Sequence, residues 1–405
     1  MQILDYSLLI FAVFIVGLLF IRPVRENVFW RATVTPLASI IGSGFLIAAP
    51  VLGEAMGPWT PAAMIGIILL AYLIGGVIRY NIRYAEPLLA QKGPKTRLIR
   101  SVEFVSNLAV FSAYLISVAF YLRVMSAFIL RSFDMDTEFN ANIMTTVVLG
   151  AIAIIGMFRG LKTLEVLEEY SVSIKLAIIA AACLGLGWHM FENGDQVPAV
   201  QDVALNMGSI QLLAGMLLMV QGFETSRYLG DEYDADTRIK SMRIAQILAG
   251  VIYAGFVFLF MPLLGLVQGQ SVNETAIIGI LEHVSFILPF MMIVAAAFSQ
   301  FSAAVADTLS GGGIVREESQ NQLPARAGYG VITLGALILI WQINIFEIIA
   351  YASRTFAFYY LSQTMVALLV AHKTDQGSSK LFRLSGYSAL ALILLWITIY
   401  AIPVE

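Results

Sequence analysis

Cysteine is almost missing from this chain. Cys183 is the only one and sits in an apolar run, so the sequence offers neither a disulfide framework nor a thiolate metal site. Histidine is nearly as scarce, and His189, His283 and His372 stand far apart, which argues against a histidine metal cluster. Charge is the third shortage. Only 13% of the residues are charged, the net charge is −3, and the basic residues are scattered, so no nucleic-acid partner is expected. Residues Met1 to Phe20 lack a basic n-region and a small-residue cleavage site, and we read them as a retained span rather than a signal peptide. Absent too are a long soluble stretch or tail, which a sensor or scaffold needs, and a convergent His, Asp or Cys set, which a membrane-embedded enzyme needs. No enzymatic activity, cofactor or metal is therefore expected.

What is present is apolar. Hydrophobic residues make up 59% of 405 positions, and the mean hydropathy is +0.83, far from a soluble domain. Taking apolar runs of about 20 residues as spans predicts an all-α polytopic membrane protein with about twelve transmembrane helices. They cover Leu4 to Ile21, Pro36 to Met56, Trp59 to Tyr80, Val102 to Leu130, Ile143 to Phe158 and Tyr170 to Met190. The second six are Leu205 to Leu229, Ile244 to Val267, Val284 to Leu309, Ala327 to Trp341, Ile345 to Val370 and Leu384 to Ala401. Alternate connections carry 20 of the 24 basic residues. Because cytoplasmic loops collect Lys and Arg, this places both termini outside the cytoplasm, in a bacterial cytoplasmic membrane.

Two spans are interrupted. Pro36 to Met56 contains Gly42-Ser43-Gly44, and Leu205 to Leu229 contains Gln221-Gly222-Phe223-Glu224. Glycine eases the breaking of a helix, and the freed N–H and C=O groups survive in a membrane only beside a cavity or other protein. Broken helices opening two halves point to an inverted-repeat transporter with its site at the breaks. The expected layout is an extra N-terminal helix in 1–30, five-helix repeats in 31–200 and 201–372, and an extra C-terminal helix in 373–405.

At these residues the chain resembles a known family. Ile41-Gly42-Ser43-Gly44-Phe45 is similar to the first-helix signature of the amino acid–polyamine–organocation (APC) transporters. Gly222-Phe223-Glu224 with Asp231, Glu232 and Arg238 resembles that family's sixth helix, and Gly160-Leu161-Lys162 leading into Ser173-Ile174-Lys175-Leu176 its fourth-to-fifth helix region. The resemblance implies a LeuT-type fold and secondary transport of an amino acid or related amine. The leading helix, and Phe301 to Ser310 in the eighth core helix, are instead similar to the sodium/solute symporter family. Aligned on Asp307, Ala304 and Val305 fall where sodium-binding hydroxyls belong, leaving Ser302 and Thr308 as weak sodium candidates. The alternative function is thus a sodium-coupled symporter of another organic solute. A divalent-metal transporter would want carboxylate, Asn and Met ligands at the first break, which Gly42-Ser43-Gly44 does not offer.

Each ionisable residue within a span costs roughly 2.5–3.5 kcal/mol on insertion scales and needs a reason. Lys175 is the sharpest case, because a buried lysine that can be neutral near physiological pH can carry a proton. In proton-coupled relatives a fifth-helix lysine stands where sodium-coupled cousins hold an ion, and the resemblance implies that role here. The plainer reading is a permanent ion pair or a snorkelling side chain. Glu224 is a second protonation site, a cap on unwound backbone, or a partner of Arg227. Asp307 is read first as the partner of Lys175 and otherwise as a cation ligand. Arg354 is a candidate gate, or the partner of Glu347 on one helix face. Freed backbone at Ile41 to Phe45 and at Val220, Gln221, Gly222 and Phe223 is the expected substrate site. There the N–H groups of Ser43, Gly44 and Phe45 suit a carboxylate, and Tyr114 and Phe223 flank the side chain. The expected partners are the lipid bilayer and a small-molecule substrate.

Overall fold

The computed structural model describes all residues except 1–2, 43, 92–95, 134, 136, 160, 194–202, 204, 267–275 and 402–405. Ser43 and Gly160 therefore lie outside the described residues, as do the side chains of Leu161 and Lys162. The described chain is helical throughout its ordered elements. The principal helices are α1 (Ile3–Phe20), α2 (Val28–Ile40), α3 (Gly44–Met56), α4 (Thr60–Tyr80), α5 (Arg97–Arg131), α6 (Glu138–Arg159) and α7 (Leu161–Asn193). They continue with α8 (Met207–Gly215), α9 (Ala235–Phe260), α10 (Leu288–Glu318), α11 (Ala325–Gln342), α12 (Ile345–Thr374) and α13 (Gly377–Tyr400).

Nine segments among the described residues are long and apolar enough to cross a membrane. The predicted span Leu205 to Leu229 is not one of them. It is divided into α8, of nine residues, and 3₁₀ turns at Met216–Val220 and Phe223–Leu229. Likewise Pro36 to Met56 is split between α2 and α3, each of which is 13 residues. Such pieces rise only about 20 Å at 1.5 Å per residue.

The long helices form the frame. α5 packs along α10 and α12, and α10 also packs along α7. The short pieces α2 and Phe223–Leu229 pack against each other inside it, with α9 and α10 alongside. Burial follows this order: every residue of α2 from Ala32 to Ile40 is buried, whereas α1 buries only Asp5, Leu8 and Ala12. Those three lie on one helical face, which docks on α7 where Gly185 leaves room for Leu8. The Asp5 carboxylate accepts from the Ser285 hydroxyl and the Ile287 N–H, fixing the end of the leading helix.

Candidate functional site

The first break is an exercise in satisfying backbone oxygens. α2 carries Pro36 in its interior and ends at Ile41, whose φ −87° and ψ 59° leave the helical region. Ile41 N–H still closes on Leu37 O at 3.0 Å, but the carbonyls beyond it have no helix to bond. Side chains from three other helices take them. Lys175 Nζ of α7 donates to Ala38 O at 2.8 Å and Ile41 O at 2.6 Å. The single Ser299 hydroxyl proton of α10 is shared between Ile41 O at 2.6 Å and Gly42 O at 3.1 Å. Tyr253 of α9 donates to Ile40 O at 3.0 Å. An unmet carbonyl in hydrocarbon costs several kcal/mol, so these donors hold the break open. The third Lys175 donor goes to Ser302 Oγ at 2.9 Å, and the whole ammonium is buried.

The second break is tied to the first by close backbone contact. Gly222 has φ +109°, a left-handed conformation that costs other residues about 1–2 kcal/mol. A Cβ there would lie 2.3 Å from Ser39 Oγ, and one on Gly44 would lie 2.5 Å from the Met219 backbone. The two broken helices thus cross with glycine on each side of the contact. The Tyr253 hydroxyl sits at the crossing, its one proton shared between Met219 O at 2.7 Å and Ile40 O at 3.0 Å. Glu224 folds back so that its Oε2 accepts from Gly222 N–H at 2.9 Å and from Tyr360 OH at 2.8 Å. Phe223 stacks on Tyr360 with centroids 5.4 Å apart, and Gln221 Nε2 donates to Tyr121 OH at 2.6 Å.

Several expected pairings are replaced. Asp307 does not meet Lys175. It accepts from Ser39 Oγ at 2.9 Å and from the Ser117 hydroxyl, while the ammonium finds carbonyl oxygens instead. Glu224 caps backbone rather than pairing with Arg227, whose guanidinium is 2.6 Å from Glu103. Glu347 closes a capping box with Asn344 at the start of α12. Arg354 is exposed and makes no ion pair among the described residues, so neither the gate nor the Glu347 pair has a contact behind it. Of the sodium candidates, Ser302 faces Lys175 and Thr308 bonds Ala304 O of its own helix at 2.7 Å, so the two do not converge.

Among the described residues, those expected around the substrate are all buried. Ile41, Phe45, Tyr114 and Phe223 are each no more than 2% exposed and belong to one apolar core that also holds Val220. The Tyr114 ring packs on Phe356 and Tyr228, with centroids 6.1 and 6.4 Å away. The Tyr114 hydroxyl and Glu224 Oε1 are both buried, near enough to interact with each other but short of a close hydrogen bond to any described residue. A cavity of about 10 Å³ lies between Ile40, Val220 and Tyr253, the size that admits a single water.

Residues 22–401 match the family described as "APC superfamily transporter". The chain belongs to that family. This APC transporter is 42% identical over 406 residues to an uncharacterized protein of Aquifex aeolicus (strain VF5), covering 99% of this chain and 98% of the relative. Its fold is that of a solved Na+-coupled sialic acid symporter in a substrate-bound, outward-open state. The two superpose with a TM-score of 0.59 at 13% identity, over 99% of this chain and 98% of the other.

At one end of the APC transporter the arginines converge. Arg97, Arg100, Arg227, Arg238 and Arg316 line a cavity of about 980 Å³ together with Glu86, Glu103, Asp231, Glu317 and Glu318. Beneath it Arg227 also bonds Gln363, whose amide donates to Ser106 Oγ at 2.7 Å, and Arg238 takes Glu86 in two bonds of 3.0 and 2.7 Å. Arg227 thus ties the second break to α5 and α12 on this side. Sequence reasoning missed Ser39, Ser117, Ser299, Tyr253 and Tyr360. The one available signal was Ser299-x-x-Ser302, a spacing that puts two hydroxyls on one face of α10.

Proposed function

We propose that this APC transporter is a secondary active transporter that moves an amino acid or a related small organic amine by alternating access, driven by protons. The observation that carries the reading is the Lys175 ammonium, buried and donating to Ala38 O, Ile41 O and Ser302 Oγ. These three oxygens use all three N–H donors of the buried ammonium, so a fixed positive charge of the chain itself stands at the first break and serves there as a tethered ion. Loss of its proton removes the charge and one donor, weakening its hold on α2 and freeing that piece to move against α7 and α10. Gly44 and Phe45 supply N–H groups at the start of α3 for a substrate carboxylate, and carbonyls near Val220 and Gln221 take its ammonium. Tyr114 and Phe223 flank the side chain, and Glu224 is a second proton acceptor.

The same proposal keeps twelve crossings, with the five-helix repeats at 31–200 and 201–372 meeting at the glycine contact, and places the arginine-rich end in the cytoplasm. The deciding experiment uses the protein reconstituted in liposomes with an acid-outside pH gradient and no sodium. The parent concentrates an amino acid, while Lys175→Ala loses accumulation but retains binding, read as a ligand-induced rise in unfolding temperature. Accumulation that requires sodium, or that persists undiminished in Lys175→Ala, overturns the reading.

A further inference from the structure

We infer that a cleft at the arginine-rich end, between α4, α9 and α13 and apart from the helix crossing, binds the headgroup of an anionic phospholipid. The cleft has a volume of about 630 Å³ and is lined by Arg79, Arg83, Lys240, Arg243 and Arg383, with no acidic residue among the described residues of its lining. Two of these cations are neutralised nearby, Arg83 by Asp236 and Arg383 by Asp375. Lys240 and Arg243 are exposed and have no ion-pair partner among the described residues.

Arg79 makes the strongest case. It is 7% exposed, and its guanidinium meets only neutral groups: the Gln246 side chain, Tyr72 O at 3.3 Å, and the Tyr72 ring at 4.8 Å. No carboxylate pairs with it among the described residues, and Arg243 stands close enough to repel it. A buried charge without a counterion is costly, and an anion in the cleft supplies one. Tyrosines form the remaining wall, with Tyr80 packed between Tyr84 and Tyr387 at centroid distances of 4.7 and 5.6 Å. Tyrosine is at home at headgroup depth.

The exposed surface leading away from the cleft distinguishes a lipid from a free phosphate. On α4 the stripe Tyr80, Gly76, Leu73, Leu69 runs at helical spacing from the cleft along one face, and Leu73 and Leu69 are 61% and 58% exposed. On α9 the stripe Lys240, Ile244, Ile247, Val251 does the same, ending in Ile247 at 47% and Val251 at 65% exposed. Each helix therefore presents a cation or aromatic at the cleft and an apolar track beyond it. A diacyl lipid matches both chemistries, and a soluble phosphate matches only the first.

The test is native mass spectrometry of the full chain from detergent, loaded with phosphatidylglycerol or with phosphatidylcholine of the same acyl chains. The parent retains phosphatidylglycerol in preference. The double substitution Lys240→Ala with Arg243→Ala lowers that retention roughly thirtyfold, the weight of two surface cations near an anionic headgroup. Arg22→Ala with Arg326→Ala, which removes two exposed arginines elsewhere, leaves it unchanged. Equal retention of the two lipids, an undiminished signal in the cleft variant, or an equal loss in the control variant overturns the proposal. Displacement by millimolar glycerol 1-phosphate also overturns it, in favour of a soluble phosphate ligand.

Discussion

Gly222 and Glu224 stand two positions apart at the second break, and each supports a distinct prediction. At Gly222 an alanine must adopt φ +109° and place its Cβ 2.3 Å from Ser39 Oγ. The left-handed conformation and the overpacking together cost about 2–5 kcal/mol, so Gly222→Ala lowers the unfolding temperature of the purified protein markedly. An unfolding temperature equal to the parent's would mean that α2 slides aside freely. Glu224→Gln is expected to be mild for the fold, because the amide oxygen can accept the same bonds from Gly222 N–H and Tyr360 OH. Its stability should stay within about 1 kcal/mol of the parent. A change in the pH profile of uptake with stability preserved then belongs to the lost proton site.

The helix ends supply predictions at the next scale. Asp234 caps α9 by accepting from Thr237 N–H at 3.0 Å and Thr237 Oγ1 at 2.8 Å, and these bonds hold its carboxyl below the usual aspartate range. A carboxyl depressed in the folded chain stabilises it above the unfolded value of about 3.9 and loses that contribution as pH falls through the lower folded value. Asp234→Asn keeps a good cap without the titration. Its unfolding temperature, followed from about pH 6 down to about pH 3, should therefore fall less steeply than the parent's. The interruptions were legible because glycine within an apolar span has few other uses, and Gly44 and Gly222 lie where the two segments meet. The donors that fill them were not. The acceptors of Lys175 are the backbone oxygens of Ala38 and Ile41, which carry no side-chain signature, so opposite charge wrongly suggested Asp307. Tyr253 is one of 16 tyrosines, and nothing local marks it as the one that spans the crossing. Glu347 was misread in a different way: Asn344-x-x-Glu347 is a capping-box spacing, and the local bond to the Asn344 N–H won over a partner seven residues away.

Across the whole molecule, the asymmetry between the two ends follows from the connections. Ten of the basic residues counted in alternate connections line two cavities, five in each; their placement was readable from sequence because it depends only on which loops carry charge, while the pairing of Arg227 with Glu103 depends on packing. That pair has side chains only 5% and 10% exposed, and breaking such a pair costs about 3–5 kcal/mol. Glu103→Ala is expected to loosen this end. The check is a cysteine at Ser226, fully buried in the parent, in a Cys183→Ser background. It should react slowly with a thiol reagent applied from the arginine-rich side, and quickly once Glu103 is gone. Unchanged reactivity would show that the burial of Ser226 does not depend on the Arg227–Glu103 pair.

Lys175 reaches the first break on a short covalent tether. A free ion leaves such a place in proportion to its scarcity in the medium, whereas a tethered one has an effective concentration set by the length of its side chain. Diluting the surroundings cannot empty the position; only deprotonation changes its state. On the proposed function, with Lys175 as the coupling group, such a carrier would work in fresh water as readily as in brine, exchanging dependence on the saltiness of its habitat for dependence on its acidity.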